Sequence, residues 1–295
     1  MDTSVSNEDF LATVATKSNG AALRGNYEHM DAHYVVQQDW HAYTEEEHEL
    51  WRKLYQRQLA LLPGRACQVF IDALEKMDAA DGIPVFEKTS KELFEATGWT
   101  IVAVPGLIPE LTFFDHLANR RFPVTVWLRK PEEFNYIVEP DVFHDFFGHV
   151  PLLFNPVFAD YIQRYGQGGL KAMKLGGLDE LARLYWYTVE FGLINTPEGV
   201  RIYGAGILSS GGEVEYCLTP GTKSRHIRLD VERCLRTLYK IDSYQETYFV
   251  IDSFQQLFDG TAPDFTPLYE KLKHMDVLPA NTLLPDEVEL LPAPH

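Results

Sequence analysis

The amino-acid sequence predicts one mainly α-helical domain of the α+β class, in which packed helices are accompanied by short strands. Several segments repeat apolar residues at helical spacing, whereas only residues 99–105 and 122–128 have the pattern of strands. Hydrophobic residues make up 45% of the 295 residues, which is enough to build a sizeable core. No internal repeat, low-complexity linker or run of like charges divides the chain into parts.

The first helix is predicted to begin after Thr44, because Thr44 and Glu47 form a capping-box pattern. Apolar residues at helical spacing follow, and Pro63 and Gly64 end the helix. A second helix is predicted over about 66–79. Pro140 suits the first turn of a third helix, and Asn155 suits the N-cap of a fourth.

Glycines and apolar periodicity place the remaining elements. Gly166 is expected to end the helix that starts after Asn155. Four glycines within residues 203–213 predict a loop or a bulged strand there rather than a helix. Further helices are predicted over residues 178–191, 228–240 and 262–273.

Both ends of the chain differ in composition from the middle. Residues 1–25 are polar and have no clear period, so we expect a mobile N-terminal tail. Residues 277–295 contain four prolines and predict a C-terminal tail that lies on the surface. Residues 26–276 are therefore predicted to form a single domain between the two tails.

The charge balance and the cysteines exclude several classes of protein. Asp and Glu number 43 against 26 Lys and Arg, and a net charge of −17 repels nucleic acids and anionic lipids. Three cysteines without a C-x-x-C pair predict neither a disulfide framework nor a cysteine zinc site. The N-terminus lacks the pattern of a signal peptide, and no stretch has the length of a membrane span. We therefore expect a cytoplasmic protein with no nucleic-acid or membrane partner.

Three residues suggest a metal centre. His144 and His149 lie five positions apart, and Glu190 occurs among apolar residues of another predicted helix. Two imidazoles and one carboxylate are the ligand set of many non-haem Fe(II) enzymes. On a regular helix, five residues advance roughly 140° beyond a full turn, so the two histidines do not share a face. Their convergence requires the helix to end or distort, and the adjacent Gly148 and Pro151 favour this.

The spacing alone leaves other interpretations open. The two histidines can be ordinary polar residues of an interior helix, with Glu190 solvated. A zinc hydrolase can use the same three ligands around an activated water, although Asp145 is the only candidate for its general base. A third alternative is an interaction domain stabilised by a metal whose coordination shell is closed.

Three longer motifs resemble a known family. Residues 140–152 read PDVFHDFFGHVPL, residues 185–193 read YWYTVEFGL, and residues 203–210 read YGAGILSS. In this order they are similar to the signatures of the tetrahydropterin-dependent aromatic amino acid hydroxylases. The resemblance covers roughly residues 35–265, which correspond to the catalytic domain of that family.

The resemblance implies a function and a set of partners. It implies that Fe(II) and tetrahydrobiopterin, or a related tetrahydropterin, support hydroxylation of an aromatic amino acid by dioxygen. Phenylalanine, converted to tyrosine, is favoured over tyrosine and tryptophan, because the short single-domain form is similar to bacterial members. The sequence lacks the animal-type N-terminal regulatory domain and the C-terminal tetramer helix, so we expect a monomer.

The resemblance also assigns roles to individual positions. It implies that the iron ligands are His144, His149 and Glu190. It implies pterin contacts from Gly106, Leu107, Ile108, Phe113, Asp145, Ala182 and Tyr185, among which Phe113 stacks on the pterin ring. The implied substrate contacts are Arg129, which binds the substrate carboxylate, and Pro140, Trp186 and Ser209; Ser209 also lies near His144.

The sequence departs from the animal members of the family at three positions. Asp145 stands in place of a Glu, which keeps the carboxylate but shortens its reach, so that its contact to the pterin can run through a water. Ile137 stands in place of a Thr near the substrate, and Glu110 in place of a Ser near the pterin. We therefore expect the substrate and pterin contacts to differ in detail from those of the animal enzymes.

Overall fold

A capping box begins the first long helix, α1, which spans Glu45–Leu61. The Thr44 hydroxyl accepts a hydrogen bond from the Glu47 amide at 3.2 Å, and the Glu47 carboxylate accepts one from the Thr44 amide at 2.8 Å. The computed structural model describes residues 24–290, so residues 1–23, most of the predicted N-terminal tail, lie outside it. The apolar face of α1 places Trp51 and Leu54 in the core, where both are fully buried.

Helices dominate the described part of the chain, and its strands are short, so the predicted mainly α fold with short strands is confirmed. The other α-helices are α2 Gln68–Lys76, α3 Phe86–Thr97, α4 Glu110–Ala118, α5 Pro156–Leu175, α6 Leu178–Tyr185, α7 Ala205–Leu208, α8 Gly211–Tyr216, α9 Val231–Leu235, α10 Phe254–Thr261 and α11 Thr266–Leu272. Two further segments are π-helical, Phe143–His149 and Trp186–Glu190.

The strands form two small sheets. The parallel pair β1 Thr100–Val104 and β2 Arg121–Thr125 agrees closely with the two predicted strands. The second sheet has the order β4-β3-β6-β5. In it, β3 and β4 form an antiparallel hairpin, and β6 runs parallel to β3 and β5; the strands are β3 Leu193–Thr196, β4 Gly199–Ile202, β5 Arg225–Arg228 and β6 Thr247–Ile251. This second sheet was not predicted.

An aromatic core fixes the π-helical segment Phe143–His149. Phe143 stacks on Phe147 with ring centroids 4.7 Å apart. Trp51 contacts Phe143 edge-on at 5.2 Å, and Tyr55 contacts Phe147 edge-on at 5.4 Å. Aromatic pairs in such geometries add to the free energy gained by burying their large surfaces. The helix α1 therefore anchors the segment that carries both histidines.

The prediction that a helix ends at Gly166 is wrong. Helix α5 continues to Leu175 and ends at Gly176, whose φ of 71° is left-handed. Gly166 instead allows close packing of two helices, because a Cβ atom there would lie 2.4 Å from the backbone nitrogen of Ala118 at the end of α4. The glycine serves helix packing rather than helix termination.

The prediction of a loop or bulged strand over residues 203–213 is also wrong. The segment contains α7 and the start of α8, whose N-cap Ser210 accepts a hydrogen bond from the Glu213 amide at 3.2 Å. Its first glycine is required by packing: a Cβ atom on Gly204 would lie 2.4 Å from the Glu190 carbonyl oxygen. Glycine therefore brings α7 close to the segment that carries Glu190.

The last predicted helices are shorter in the structure. The α-helix within residues 228–240 is α9, and the α-helix within residues 262–273 is α11, which follows the unpredicted α10. The described residues of the predicted C-terminal tail pack against the domain. The Leu290 amide donates to the His226 carbonyl at 2.7 Å, and Glu287 pairs with the buried Arg233 at 2.7 Å. The domain limits at residues 26 and 276 stay predictions.

Candidate active site

The two histidines converge because their helix is π-helical. In a π-helix each hydrogen bond spans five residues, so residues five apart lie on nearly the same face. The Nε2 atoms of His144 and His149 are 3.1 Å apart. The distortion expected from the sequence is thus present, as a widened helix rather than an early end. Such π-helical turns occur frequently at functional sites.

A second π-helical segment brings Glu190 to the histidines. Its carboxylate oxygens lie 3.2 Å from His149 Nε2 and 3.5 Å from His144 Nε2. One ligand atom from each of the three residues lies within 4.8 Å of the other two. A metal ion would fit among three donors at such separations, and three protein ligands would leave other coordination positions available to small molecules.

Burial and charge make the three groups dependent on one another. Burial alone would raise the pKa of Glu190, but the imidazoles of His149 and His144 outweigh it and hold that pKa well below its ordinary value. Burial alone would lower the pKa of His144, but the Glu190 carboxylate outweighs it and raises that pKa. The two imidazoles therefore favour the charged form of the carboxylate. A metal cation bound at the site competes with protons for the same donors.

Ser209 fixes the orientation of the His144 ring. The Ser209 hydroxyl donates to the Ala205 carbonyl at 2.8 Å and lies 3.0 Å from His144 Nδ1. Because the hydroxyl hydrogen is used by Ala205, Ser209 accepts the hydrogen bond and Nδ1 carries the proton. This tautomer leaves the Nε2 lone pair free for a metal.

The predicted substrate residues line one cavity of about 600 Å³. Its wall includes Arg129, Pro140, His144, Trp186, Glu190 and Ser209, and also Ile137. Two of the three candidate metal ligands, His144 and Glu190, therefore share one cavity with the candidate substrate contacts. This arrangement is suited to holding a small aromatic ligand beside a metal.

Arg129 is buried and paired. Its side chain donates from Nε and Nη2 to the two carboxylate oxygens of Asp141, at 2.8 and 2.9 Å. Arg129 is 4% exposed and Asp141 is fully buried. Burial would raise the pKa of Asp141, but Arg129 outweighs it and lowers that pKa. The pair leaves Nη1 of the guanidinium for a ligand. Asp141 also accepts from the His144 amide at 3.0 Å, so it links Arg129 to the metal-site helix.

Two of the predicted pterin residues, Phe113 and Tyr185, are linked to the metal site by ring contacts. Phe113 in α4 contacts Tyr185 at the end of α6 edge-on, with ring centroids 5.8 Å apart. Tyr185 in turn lies 6.3 Å from the His149 ring in a stacked geometry. Gly106, Leu107 and Ile108 follow β1, and Ala182 is exposed one turn before Tyr185.

Asp145 has a different environment from the other predicted pterin residues. Its carboxylate accepts a hydrogen bond from the Thr125 amide at 2.8 Å, at the end of β2. Burial raises the pKa of Asp145, although the two nearby histidines oppose the rise. One of its oxygens is therefore committed to the backbone. Glu110, which also departs from the family pattern, is exposed at the start of α4.

A family profile described as the biopterin-dependent aromatic amino acid hydroxylases matches residues 9–266. The chain belongs to this family. The membership decides against the zinc hydrolase and the metal-stabilised interaction domain that the histidine spacing left open.

Relatives in this hydroxylase family are similar in sequence to this chain over most of their length. A phenylalanine-4-hydroxylase of Chromobacterium violaceum is 58% identical over 258 residues, which cover 87% of this chain and 86% of the relative. That of Ralstonia nicotianae is 61% identical over 240 residues, covering 81% and 76%. A crystal structure of the Chromobacterium violaceum enzyme with iron and phenylalanine bound has a TM-score of 0.85 and 55% identity, covering 94% of this chain and 99% of that one.

Sequence reasoning missed several residues of this hydroxylase site. Asp141 lies in the first of the three motifs without a predicted role, although a carboxylate between Pro140 and two apolar residues is a usable signal. Gln245 accepts a hydrogen bond from Trp186 Nε1 at 2.9 Å, and no local pattern reveals that contact.

Among the described residues, no helix is both long and apolar enough to cross a membrane.

Proposed function

We propose that this chain hydroxylates L-phenylalanine to L-tyrosine with dioxygen, a non-haem Fe(II) and tetrahydrobiopterin or a related tetrahydropterin. The observation that carries the proposal is the single cavity whose wall combines His144 and Glu190 with Arg129 and Trp186. The names of the relatives favour phenylalanine over tyrosine and tryptophan as the substrate.

The donor set fits Fe(II). His144, His149 and Glu190 would hold the ion through two neutral imidazoles and one carboxylate, on one side of the metal. When bound, the iron and the reduced pterin supply the activation of dioxygen, for which the pterin provides two electrons. The chain itself orients the ligands through Ser209 and encloses the reacting groups.

For the substrate, we assign recognition of the carboxylate to the Nη1 group of Arg129. Its charge and planar geometry suit a carboxylate, and Asp141 holds the guanidinium in one orientation. The aromatic ring would lie against Trp186, Pro140 and His144. Trp186 itself stacks on Tyr239, with ring centroids 4.4 Å apart, and this contact supports the position of the indole.

For the pterin, we assign stacking to Phe113 and further contacts to Tyr185, Ala182 and the backbone of residues 106–108. The edge-on contact between Phe113 and Tyr185 supports this proposal, because it fixes the Phe113 ring near the metal ligands. Asp145 would reach the pterin through a water, since one of its oxygens accepts from the Thr125 amide.

Turnover of the three aromatic amino acids tests the proposed function. The iron-loaded protein and a tetrahydropterin are supplied in turn with L-phenylalanine, L-tyrosine and L-tryptophan, and hydroxylated products are quantified. We expect tyrosine from phenylalanine at the highest kcat/KM. Faster turnover of tryptophan would contradict the substrate assignment, and the absence of hydroxylated product from all three amino acids would contradict the function.

We also infer that the protein is a cytoplasmic monomer. Light scattering should then give a mass near 33.8 kDa.

A further inference from the structure

A buried carboxylate in the cavity wall has no cationic partner. Glu213 is 4% exposed and lines the same cavity as Arg129 and His144. Within the part of the chain that the structure describes, it forms no ion pair, and its two hydrogen-bond partners, Gln245 and Tyr248, are uncharged donors. A buried charge without a partner is costly. The arrangement therefore favours a cationic ligand at this position.

The contacts of Glu213 leave one carboxylate oxygen available. Its Oε1 atom accepts hydrogen bonds from the Gln245 amide at 3.1 Å and from the Tyr248 hydroxyl. Among the described residues, no hydrogen bond reaches Oε2. Burial raises the pKa of Glu213, although the Tyr248 and Gln245 donors oppose the rise. A cation beside Oε2 would stabilise the charged form.

The other acidic residues of the cavity wall are less suited to a cation of the substrate. Glu190 is occupied by its interactions with the two histidines. Asp242 is exposed at the rim, where water and salt screen its charge. Asp141 does not line the cavity, and Arg129 neutralises its charge. Among these acidic residues, Glu213 is thus the buried one without a positively charged partner.

We propose that Oε2 of Glu213 binds the α-ammonium group of the amino acid substrate, opposite the guanidinium that receives its carboxylate. The inference rests on the proposed function and adds to it a means of selecting a free amino acid. A zwitterion presents both charges on one carbon atom, so a cavity with one buried cation and one buried anion complements it. An aryl carboxylic acid without an amino group leaves Glu213 unpaired and is disfavoured.

The same residues connect this ammonium site to the wall for the aromatic ring. Gln245 donates its backbone amide to Glu213 and accepts from Trp186 Nε1 at 2.9 Å through its side chain. The position of the carboxylate is therefore fixed relative to the indole. This shared support would set the distance between the ammonium group and the ring of a bound substrate.

Binding of a matched pair of ligands tests the proposal. Dissociation constants of L-phenylalanine and 3-phenylpropanoate, which lacks the ammonium group, are measured by calorimetry on the iron-loaded protein. We expect Glu213→Gln to raise the dissociation constant of L-phenylalanine roughly tenfold to a hundredfold, which corresponds to the loss of a hydrogen bond between charged groups. The dissociation constant of 3-phenylpropanoate should not rise. The preference for the amino acid would then be largely lost.

Two further variants separate this role from a structural one. The control variant is Glu246→Gln. Glu246 follows Gln245 in the chain, pairs with Lys240 and does not line the cavity, so this variant should keep the full preference for L-phenylalanine over 3-phenylpropanoate. Glu213→Asp keeps the charge and should retain more of the preference than Glu213→Gln. Equal weakening of both ligands by Glu213→Gln, or no weakening of either, would overturn the proposal.

The unaltered protein provides a measurement that does not depend on any variant folding. Equal affinity for L-phenylalanine and 3-phenylpropanoate in that protein would overturn the role of Glu213. Failure of the proposed function is distinguishable, because it would appear as absent tyrosine formation while the ammonium preference and its dependence on Glu213 remain.

Discussion

At the scale of single residues, the protonation of His144 decides which nitrogen can face a metal. Ser209 accepts from Nδ1, at 3.0 Å, because its own hydrogen is donated to Ala205. The ring is therefore held as the tautomer that presents Nε2 to Glu190 and His149. Groups that orient a metal ligand in this way contribute substantially to metal affinity.

We predict that Ser209→Ala lowers Fe(II) affinity or activity roughly tenfold to a hundredfold. The reason is that the ring of His144 loses its orienting acceptor. Iron titration and initial rates of tyrosine formation measure the effect. Ser253→Ala is a suitable control, because Ser253 caps α10 away from the site: it should cost about 0.5–2 kcal/mol of stability and leave iron binding intact. Unchanged iron affinity and rate in Ser209→Ala would contradict this role.

The pairing of Arg129 changes how its role in substrate binding should be tested. Removal of the guanidinium in Arg129→Ala would leave Asp141 charged, buried and unpaired, at a cost of about 3–5 kcal/mol. Loss of activity in that variant would then have a structural cause. Arg129→Lys keeps a positive charge beside Asp141 but lacks the planar fork.

We predict that Arg129→Lys binds iron normally and still oxidises the tetrahydropterin, but forms less tyrosine per pterin consumed. The KM for L-phenylalanine should rise about tenfold or more, because one ammonium group cannot serve both Asp141 and the substrate carboxylate. The measurements are iron content, pterin oxidation and tyrosine yield. A normal KM with a normal tyrosine yield would show that Arg129 pairs with Asp141 but does not bind the substrate carboxylate.

Which residues of the site were predictable depends on how far away their partners lie in the chain. His144, His149 and Glu190 were predicted as a set because their motifs are long and specific. A distortion of the helix between the two histidines was expected, but its π-helical form was not, because packing by Trp51 and neighbouring aromatic side chains accompanies that turn. Glu213 and Gln245 had no local signal, since their contacts join segments that are distant in sequence.

At the scale of elements, glycine was the residue most often misinterpreted. A glycine near the end of a helical pattern predicts a C-cap, and this holds for Gly176 but not for Gly166. The sequence cannot distinguish a glycine needed for backbone conformation from one needed for close packing. Only the position of α4 against α5 identifies Gly166 as a packing residue.

We predict that Gly166→Ala destabilises the protein by about 1–3 kcal/mol, because its Cβ atom would lie 2.4 Å from backbone of α4. Gly168→Ala, two residues further along the same helix, has nothing within 4 Å of its Cβ and is the matched control. It should be neutral or stabilising by up to about 1 kcal/mol. Urea unfolding measures both variants. Equal stabilities would contradict the packing role of Gly166.

At the scale of the whole molecule, the four-stranded sheet joins the distant parts of the site. Its strand β3 begins three residues after Glu190, and β6 begins two residues after Gln245. The parallel pairing of these strands brings the two ends of the cavity wall together. The sequence did not predict this sheet, because its strands have only four or five residues and the pairing of β3 with β6 joins positions more than fifty apart.

Two buried histidines outside the site should make the folded state sensitive to acid. Burial lowers the pKa of His116 and of His226. A folded-state pKa below the unfolded value of about 6.5 means that the unfolded chain binds more protons, so stability falls as the pH falls below about 6.5. His226→Gln removes one of these groups and retains a donor for the Cys217 carbonyl, which accepts from Nε2 at 2.6 Å.

We predict that the unaltered protein loses stability faster than His226→Gln as the pH is lowered from 7.5 to 5. The difference in unfolding free energy between the two proteins should therefore narrow toward low pH. Urea unfolding of both proteins at several pH values measures this difference. A difference that stays constant with pH would contradict the assignment of His226 as a buried neutral group.

The most direct test of the account measures bound iron and tyrosine formation together, in the unaltered protein and in His149→Ala. Purified protein is loaded with Fe(II), freed of excess metal, assayed for iron and supplied with L-phenylalanine and a tetrahydropterin. We expect one iron per chain and tyrosine formation in the unaltered protein, and loss of most iron and of turnover in the variant, because two ligands hold the ion poorly. Full iron occupancy with normal tyrosine formation in His149→Ala would contradict the central claim.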